Sequence, residues 1–524
     1  MLGTARGDAR RTDVEMNLLL DDTIAAIATP LGEGGLAVIR LSGPQALPVA
    51  DKSFVAVGMH SLKPSAAPTH TIHYGKIVRH GRTVDEVLLS VMRAPRTFTR
   101  EDAVEITCHG GILAAKLVLD ALLENGARLA EPGEFTKRAF LNGRIDLTQA
   151  EAVADLIHAR TELSLAAANE QLAGKLSQRI NPLRDELMKT LAHIEAHIDF
   201  PDEDISPDTR GRLLARLECG VAFIDELLRT ANEGQILRRG IRAAIIGRPN
   251  VGKSSLLNQL LGHDRAIVSP IAGTTRDTIE ETANIRGLPV VFVDTAGLRE
   301  AGDDIEQEGI RRSRETVAKA ELVLHVLDNA EPFTSEDEDY LRQFAHKKRI
   351  IVRNKIDLPA KLVLPNAFLC DAEELGQADL PLRPNSREAP QRAPTTCQVP
   401  DHKKTSIANG EPDLTPVTRS PVVAVCSLSG EGIEALKEAI KSLIWAGEIK
   451  AEMLQVMINS RHQEALRRAR EATIRTSDAL RDDLTLELVA IDLRIAVNAV
   501  GEVVGKTTTE DLLDSIFSQF CIGK

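Results

Sequence analysis

Gly247-Arg248-Pro249-Asn250-Val251-Gly252-Lys253-Ser254 follows the apolar run Ile241 to Ile246 and precedes the helix-like segment Ser255-Leu256-Leu257-Asn258-Gln259-Leu260-Leu261. Strand, glycine-rich loop and helix in that order, with GxxxxGKS spacing, make a phosphate cradle. The glycines let backbone N–H groups turn onto phosphate oxygens, and the helix N-terminus adds its positive end. Lys253 is expected to reach the β- and γ-phosphates and Ser254 to hold Mg²⁺. The sequence therefore implies a P-loop nucleotide domain that binds a nucleoside triphosphate.

Asn354-Lys355-Ile356-Asp357, after the buried-strand pattern Ile350-Ile351-Val352, selects the base. An aspartate accepts two hydrogen bonds from guanine N1–H and its exocyclic amine, a donor pair that adenine lacks. Asp294-Thr295-Ala296-Gly297 follows the strand-like Val290 to Val293; Asp294 is expected to hold Mg²⁺ through water and the Gly297 N–H to sense the γ-phosphate. In Gly273-Thr274-Thr275-Arg276-Asp277 a threonine completes Mg²⁺ coordination and orders a switch loop. Ser427, after the apolar run Val422 to Val425, fits the last base-contacting loop. The order is that of a translation-factor-type GTPase domain.

Two residues bear on catalysis. Leu298 stands where many GTPases carry a water-orienting glutamine, so another group must position the water; Glu300, Asp303, Asp304, Glu306 and Glu308 lie just downstream. The amide of Asn250 could ligate a monovalent cation beside the phosphates, replacing the charge of an arginine finger, or Asn250 could simply be a turn former.

A chain of 524 residues should hold several domains. Its 43% hydrophobic and 27% charged content is that of a soluble globular protein, and no apolar run reaches membrane-spanning length. The net charge of −12, from 64 basic and 76 acidic residues, gives no general electrostatic footprint for nucleic acid. Cys108, Cys219, Cys370, Cys397, Cys426 and Cys521 show no paired metal spacing and suit a reducing, cytoplasmic setting. Residues 1–21 read as a disordered extension without a secretory signal, and Met16 is the alternative start.

Residues 22–142 read as a mixed α/β unit. Its first two strands, Ile24 to Pro30 and Leu36 to Leu41, are joined by a tight Gly32-Glu33-Gly34-Gly35 hairpin, and further strands follow at Val84 to Met92 and Val104 to Thr107, with a helix over Ile112 to Leu123. Residues 143–236 and 448–524 are helical in period, so the GTPase unit, 237–447, is inserted between two helical parts that could form one bundle. The proline-rich stretch 361–421 is read as a disordered insertion within that unit. The terminal Cys521-Ile522-Gly523-Lys524 is only superficially like a prenylation signal, because lysine stands last.

The chain resembles the MnmE (TrmE) family of tRNA uridine modification GTPases over about 22 to 360 and 421 to 524. The carrying motifs are Ala28-Thr29-Pro30, Arg40-Leu41-Ser42-Gly43, Phe98-Thr99-Arg100-Glu101-Asp102, Cys108-His109-Gly110-Gly111, Pro132-Gly133-Glu134-Phe135-Thr136, Arg138-Ala139-Phe140-Leu141-Asn142-Gly143, Ile198-Asp199-Phe200-Pro201-Asp202-Glu203, the GTPase set and the terminal Cys-Ile-Gly-Lys. The resemblance implies an N-terminal folate-binding domain that makes the protein a homodimer, a helical domain and an inserted Ras-like GTPase domain. It implies work with the FAD-dependent partner MnmG (GidA), in a heterotetrameric or larger complex without a membrane. There the pair would add an aminomethyl or carboxymethylaminomethyl group to C5 of the wobble uridine of certain tRNAs, the carbon coming from a 5-formyl- or methylene-type tetrahydrofolate derivative.

Residue roles carry over with the resemblance. Arg40, Glu105, Arg144 and Lys524 stand as folate contacts, Arg144 replacing a lysine common in relatives. Potassium would be held by Asn250 and by backbone oxygens of Ser269, Ile271 and Thr274, in a nucleotide-contacting loop that also includes Pro270, Ala272 and Gly273. Mg²⁺ falls to Ser254 and Thr275, and the water-orienting acid to Glu306. The GTP site would thus use Asn250 to Ser255 (Val251, Gly252, Lys253 and Ser254 included), Ser269 to Thr275, Asp294 with Thr295, Ala296 and Gly297, then Asn354 with Lys355, Ile356 and Asp357, and Ser427. Cys521 is redox-active or structural. The competing reading is a ribosome-assembly GTPase that does no chemistry on RNA; the acidic charge and the N-terminal unit stand against it.

Overall fold

The computed structural model describes residues 21–58, 62–199, 207–262, 281–293, 320–344, 347–365, 420–445 and 451–524. The expected extension 1–21 falls almost wholly outside these residues, as does most of the 361–421 stretch. The chain divides into two compact units, one of residues 1–240, 264–290 and 445–524 and the other of 241–263 and 291–444.

The first unit opens on strands β1 (Ile24–Ile27) and β2 (Leu36–Ser42), helix α1 (Ala46–Ser53), strands β3 (Phe54–Ala56), β4 (Thr71–Arg79), β5 (Arg82–Met92) and β6 (Ala103–His109), helix α2 (Ile112–Glu124), strand β7 (Arg128–Leu129) and helix α3 (Glu134–Leu141). The strands form one sheet in the order β3-β4-β5-β6-β2-β1-β7. β1 and β2 pair antiparallel from Ile24↔Ser42 to Ile27↔Ile39, so the glycine-rich link runs over residues 28–35, longer than a tight turn. Alternation sets the two faces of the sheet. Val104, Ile106 and Cys108 enter a core closed by α1 and α2, while Glu105, Thr107 and His109 point the other way.

Helices α4 (Leu147–His158), α5 (Glu162–Leu172), α6 (Lys175–Asp199), α7 (Pro207–Arg229) and α8 (Ala231–Arg239) follow. Leu176, Ile180, Leu183, Leu187, Leu191 and Ile194 recur at helical spacing along α6 and are buried, which is why this segment is a helix with one committed face.

The second unit begins with β8 (Ile241–Ile246) and α9 (Lys253–Leu261) and includes β11 (Leu322–Asp328), α10 (Ser335–Gln343), β12 (Lys348–Asn354), β13 (Val422–Ala424) and α11 (Ile433–Ile444); β9 (Glu281–Ile285) and the start of β10 (Leu288–Phe292), which complete the sheet of the nucleotide domain, group with the first unit. Its sheet runs β13-β12-β11-β8-β10-β9, and the boundary between the units falls within β10. β8, β11, β12 and β13 pair in parallel. β11 is buried at every position, the pattern of a strand covered on both faces. Parallel strands all end on one edge, so their loops gather there.

The chain returns to the first unit with α12 (Ala451–Leu454), α13 (Ser460–Arg481), α14 (Leu486–Val504) and α15 (Glu510–Phe517). Ala465, Ala469 and Ala472 of α13 and Val489, Leu493, Val500 and Val503 of α14 join the core of α6 and α7, so helical segments far apart in sequence make one bundle. No helix among the described residues is long and apolar enough to cross a membrane.

Candidate nucleotide and folate sites

The phosphate loop lies between β8 and α9, with Gly252 capping α9 in left-handed backbone at φ 97°. A Cβ there would lie 2.2 Å from Asn354 Nδ2, so only glycine lets these two loops meet. Asn354 ends β12 and is buried at 1% exposure. Its Nδ2 donates to the Val251 carbonyl at 2.7 Å, and its Oδ1 accepts from the Ser427 N–H at 3.0 Å and the Ser427 Oγ at 2.8 Å. One amide thus ties three loops into a single site.

Lys355 Nζ donates to the Asn250 carbonyl at 2.8 Å and to Asp328 Oδ2 at 2.7 Å. Asn250 itself has φ 61°, a conformation asparagine tolerates better than most residues. Lys253 Nζ donates to the Gly247 and Arg248 carbonyls at 2.9 and 2.7 Å, which aims it into the mouth of the loop. Burial pushes the Lys253 ammonium down from its ordinary value, opposed by Glu336. Ser254 and Ser255 begin α9 and are half-buried. Asp357 is exposed.

Sequence reasoning missed two residues. Cys426 meets Asp357, its Sγ lying 3.2 Å from Oδ1, while the neighbouring Ser427 bonds to Asn354. Asp328, which orients Lys355, was signalled only as the polar stop of the apolar run Leu322 to Leu327. Ile356 follows Lys355 and is half-buried. Ser269, Pro270, Ile271, Ala272, Gly273, Thr274, Thr275, Asp294, Thr295, Ala296, Gly297 and Glu306 lie outside the described residues.

A second constellation lies on the open face of the first unit's sheet. Arg40 and Glu105 are cross-strand partners of β2 and β6, and Arg40 Nε donates to Glu105 Oε1 at 2.8 Å. The C-terminal tail runs onto this sheet. Ile522 bridges Pro132, the Gly133 N–H donates to the Cys521 carbonyl at 3.4 Å, and Arg40 Nη1 donates to the Gly523 carbonyl at 3.4 Å. Gly523 adopts φ 91° with Ile27 O only 2.5 Å from where a Cβ would stand, so the tail fits this close only as glycine. Lys524 is thereby brought into the electrostatic range of Arg40 and Glu105. Burial, then Arg40, pushes its ammonium down, against Cys521 and Glu105. Arg144 is held elsewhere: Nη1 donates to the Thr97 carbonyl at 2.6 Å and the guanidinium lies 5.6 Å from the Phe98 ring centre. Cys521 is exposed, not a buried packing residue.

A family description for the MnmE helical domain matches residues 147–521, and one for the GTP-binding protein TrmE N-terminus matches residues 23–144. The chain belongs to the MnmE family. Over 504 residues it is 45% identical to the tRNA modification GTPase MnmE of Listeria welshimeri, covering 96% of this chain and 99% of that one. Against the MnmE of Geobacillus thermodenitrificans identity is 46% over 506 residues, covering 96% and 99%. Against that of Bacillus subtilis it is 44% over 506 residues, covering 96% and 100%. Among solved structures, the G domain of the T. maritima FeoB iron transporter overlaps 39% of this chain and 99% of its own, at 25% identity and a TM-score of 0.22.

Proposed function

We propose that this protein hydrolyses GTP in the service of tRNA modification, acting on C5 of the wobble uridine. The observation that carries the reading is the joining of the Gly247–Ser254 loop, Asn354 and Ser427 at one edge of a parallel sheet, in a chain that matches tRNA modification GTPases over 96% of its length. In the nucleotide domain, Lys253 and the loop N–H groups take the β- and γ-phosphates, Asp357 reads guanine, and Ser254 with Thr275 takes Mg²⁺. Asn250, with backbone oxygens of Ser269, Ile271 and Thr274, takes K⁺, and Glu306 orients the attacking water.

The open sheet face is our folate site. A carboxylate, Glu105, beside two cations, Arg40 and Lys524, suits a pterin edge together with an anionic tail. Arg144, stacked on Phe98, supplies a further cation in our reading. Val55, Ile72, Tyr74 and Leu88 are exposed, and Leu88 shares a strand face with Ser90, the register partner of Glu105. A second copy covering these side chains would make the homodimer and bring it next to the folate site. The FAD-dependent partner MnmG completes the reaction by supplying the redox step.

The deciding test is nucleoside analysis of tRNA from cells with and without the gene. Loss of the C5-modified wobble uridine, restored by the gene but not by Asp294→Ala, is expected. An unchanged profile with unassembled ribosomal subunits would instead favour an assembly switch. In vitro, Glu306→Ala is expected to keep GTP binding and lose hydrolysis, and replacing K⁺ by Na⁺ to slow it.

A further inference from the structure

The chain passes four times between the nucleotide unit and the rest, and the first and last passages run through two connectors, α8 leading into Ile241 and residues 451–459 leading into α13. Side chains of α4 and α5 hold both. On the inbound connector, Arg238 Nε donates to Asp155 Oδ1 at 2.5 Å and Ser164 Oγ donates to the Leu237 carbonyl at 2.7 Å. On the outbound side, Gln171 Nε2 donates to the Met457 carbonyl at 2.6 Å. Arg461 Nε and Nη2 then donate to the two oxygens of Glu151 at 2.8 and 3.0 Å, and His462 Nε2 lies 2.7 Å from Glu151 Oε2. Asp155, Ser164, Gln171, Arg238 and Asn459 line a cavity of about 30 Å³ as available to water centres, room for a single water or two.

Glu151 and Asp155 are one turn apart on α4, so they share a face, yet Asp155 is paired to the inbound connector and Glu151 to the first turn of α13, just past the outbound one. Two acids on one helix face, Glu151 buried and Asp155 half-buried, are a poor way to gain stability, because desolvation offsets much of what the ion pairs return. Burial works against Glu151, but His462 and Arg461 hold its carboxyl well below the ordinary range. What such pairs supply is position, since a directional, charge-assisted bond fixes where each connector sits along the helix.

A neighbouring face of α4, from its first turn to Ala154, packs on the helix that leads to the proposed folate site. Leu147, Ala150 and Ala154 pack with Leu513, Ile516, Phe517 and Phe520, the helix and tail that end at Lys524. Arg144 lies just before the Asp146 capping box that starts α4. A helix of 12 residues spans about 18 Å. A shift of either connector is therefore passed, through one rigid element, to both the Arg144 loop and the tail.

We propose that α4 is the strut that couples nucleotide state to the one-carbon site, with Asp155 and Glu151 as its positioning residues. The inference rests on the folate reading given above. It is tested on the full-length protein by titrating 5-formyl-tetrahydrofolate in the presence of GDP and, separately, of a non-hydrolysable GTP analogue. The unaltered protein is expected to show a folate affinity ratio between the two states of about 5-fold or more, and folate must shift the analogue's affinity by the same factor. Asp155→Asn is expected to bring the ratio to within about 2-fold of unity while leaving GTP turnover and thermal midpoint near their starting values; Asp155→Glu should restore it. A merely structural role would lower the midpoint and both affinities together. A ratio of one in the unaltered protein, or a full ratio in Asp155→Asn, overturns the proposal. If the unaltered protein binds no folate, the folate reading fails on its own. The strut is then read from the rate at which exposed Cys521 is alkylated in the two nucleotide states, located by mass spectrometry. A rate that depends on nucleotide and loses that dependence in Asp155→Asn sustains the strut; equal rates in the unaltered protein reject it.

Discussion

Replacing Asn354 by alanine should separate loop assembly from base recognition. Its amide makes three hydrogen bonds, one to the Val251 carbonyl and two with Ser427, at a position 1% exposed. Val251 is likewise buried at 1% and Ser427 at 5%, so water reaches the abandoned groups poorly. Two backbone groups, the Val251 carbonyl and the Ser427 N–H, lose their partner. At about 1–3 kcal/mol for each buried unsatisfied group, the site loses about 2–6 kcal/mol. Nucleotide binding must recover this by reassembling the loops, so GDP affinity should fall by about 30-fold to about 10⁴-fold. Ser427→Ala makes the internal control. It removes only the hydroxyl bond and leaves the N–H contact, at a cost of about 1 kcal/mol or less. The assay is equilibrium titration of a fluorescent GDP analogue, with circular dichroism to check that the helical bundle persists. If Asn354→Ala bound within about 3-fold of the unaltered protein, or no more weakly than Ser427→Ala, the bridging role assigned to this amide would be refuted.

Three further outcomes are expected. Cys426→Ala should weaken GDP binding a few-fold by freeing Asp357, whereas Cys426→Ser, which keeps a donor, should not; equal affinities for the two variants would rule the thiol out as a positioning group. His325, buried in β11 and without a hydrogen-bond partner among the described residues, is pushed down to about 3 by burial and then by Arg349. Because its folded value lies below the unfolded value of about 6.5, the fold keeps this stabilisation above pH 6.5 and loses it as pH falls toward 3, by about 1 kcal/mol per pH unit. Pulse proteolysis of the nucleotide unit in urea at pH 7.5 and 5.5 should show that slope, and His325→Leu should flatten it; an unchanged slope in the variant would count against the assignment. Finally, Arg40→Ala should lower 5-formyl-tetrahydrofolate affinity by about 10-fold or more, the scale of a charge-assisted hydrogen bond, and leave GTP turnover near its starting rate. An unchanged folate affinity would move the site away from the β2–β6 face.

The nucleotide domain was legible because its chemistry is local. A GxxxxGKS loop, an NKxD tetrapeptide and the apolar strands before them each declare themselves within a few residues, and β8, β10 and β12 fall on the runs Ile241 to Ile246, Val290 to Val293 and Ile350 to Val352. The sequence also announced helices on both sides of that domain, through periods such as Leu176, Ile180, Leu183 and Leu187. The insertion of the GTPase unit suggested that the two helical parts could form one bundle, but which helices share a core, α6 and α7 with α13 and α14, only packing decides, because a helix's apolar stripe states that a partner exists without naming it. Nor could spacing along the chain show that Cys426 rather than Ser427 meets Asp357, since neighbouring residues in a turn differ only in direction. The motif resemblance pointed to Arg40, Glu105, Arg144 and Lys524 together. Packing decides that the tail lies on the β1–β2 sheet, with Arg40 bound to Glu105 and the Gly523 carbonyl while Arg144 is held on Thr97 and Phe98. Nothing in the spacing of Glu151 and Asp155 signals a partner for either. Only the burial of α4 between two distant connectors turns them into paired charges, because an ion pair depends on distance in space and sequence records distance along the chain alone.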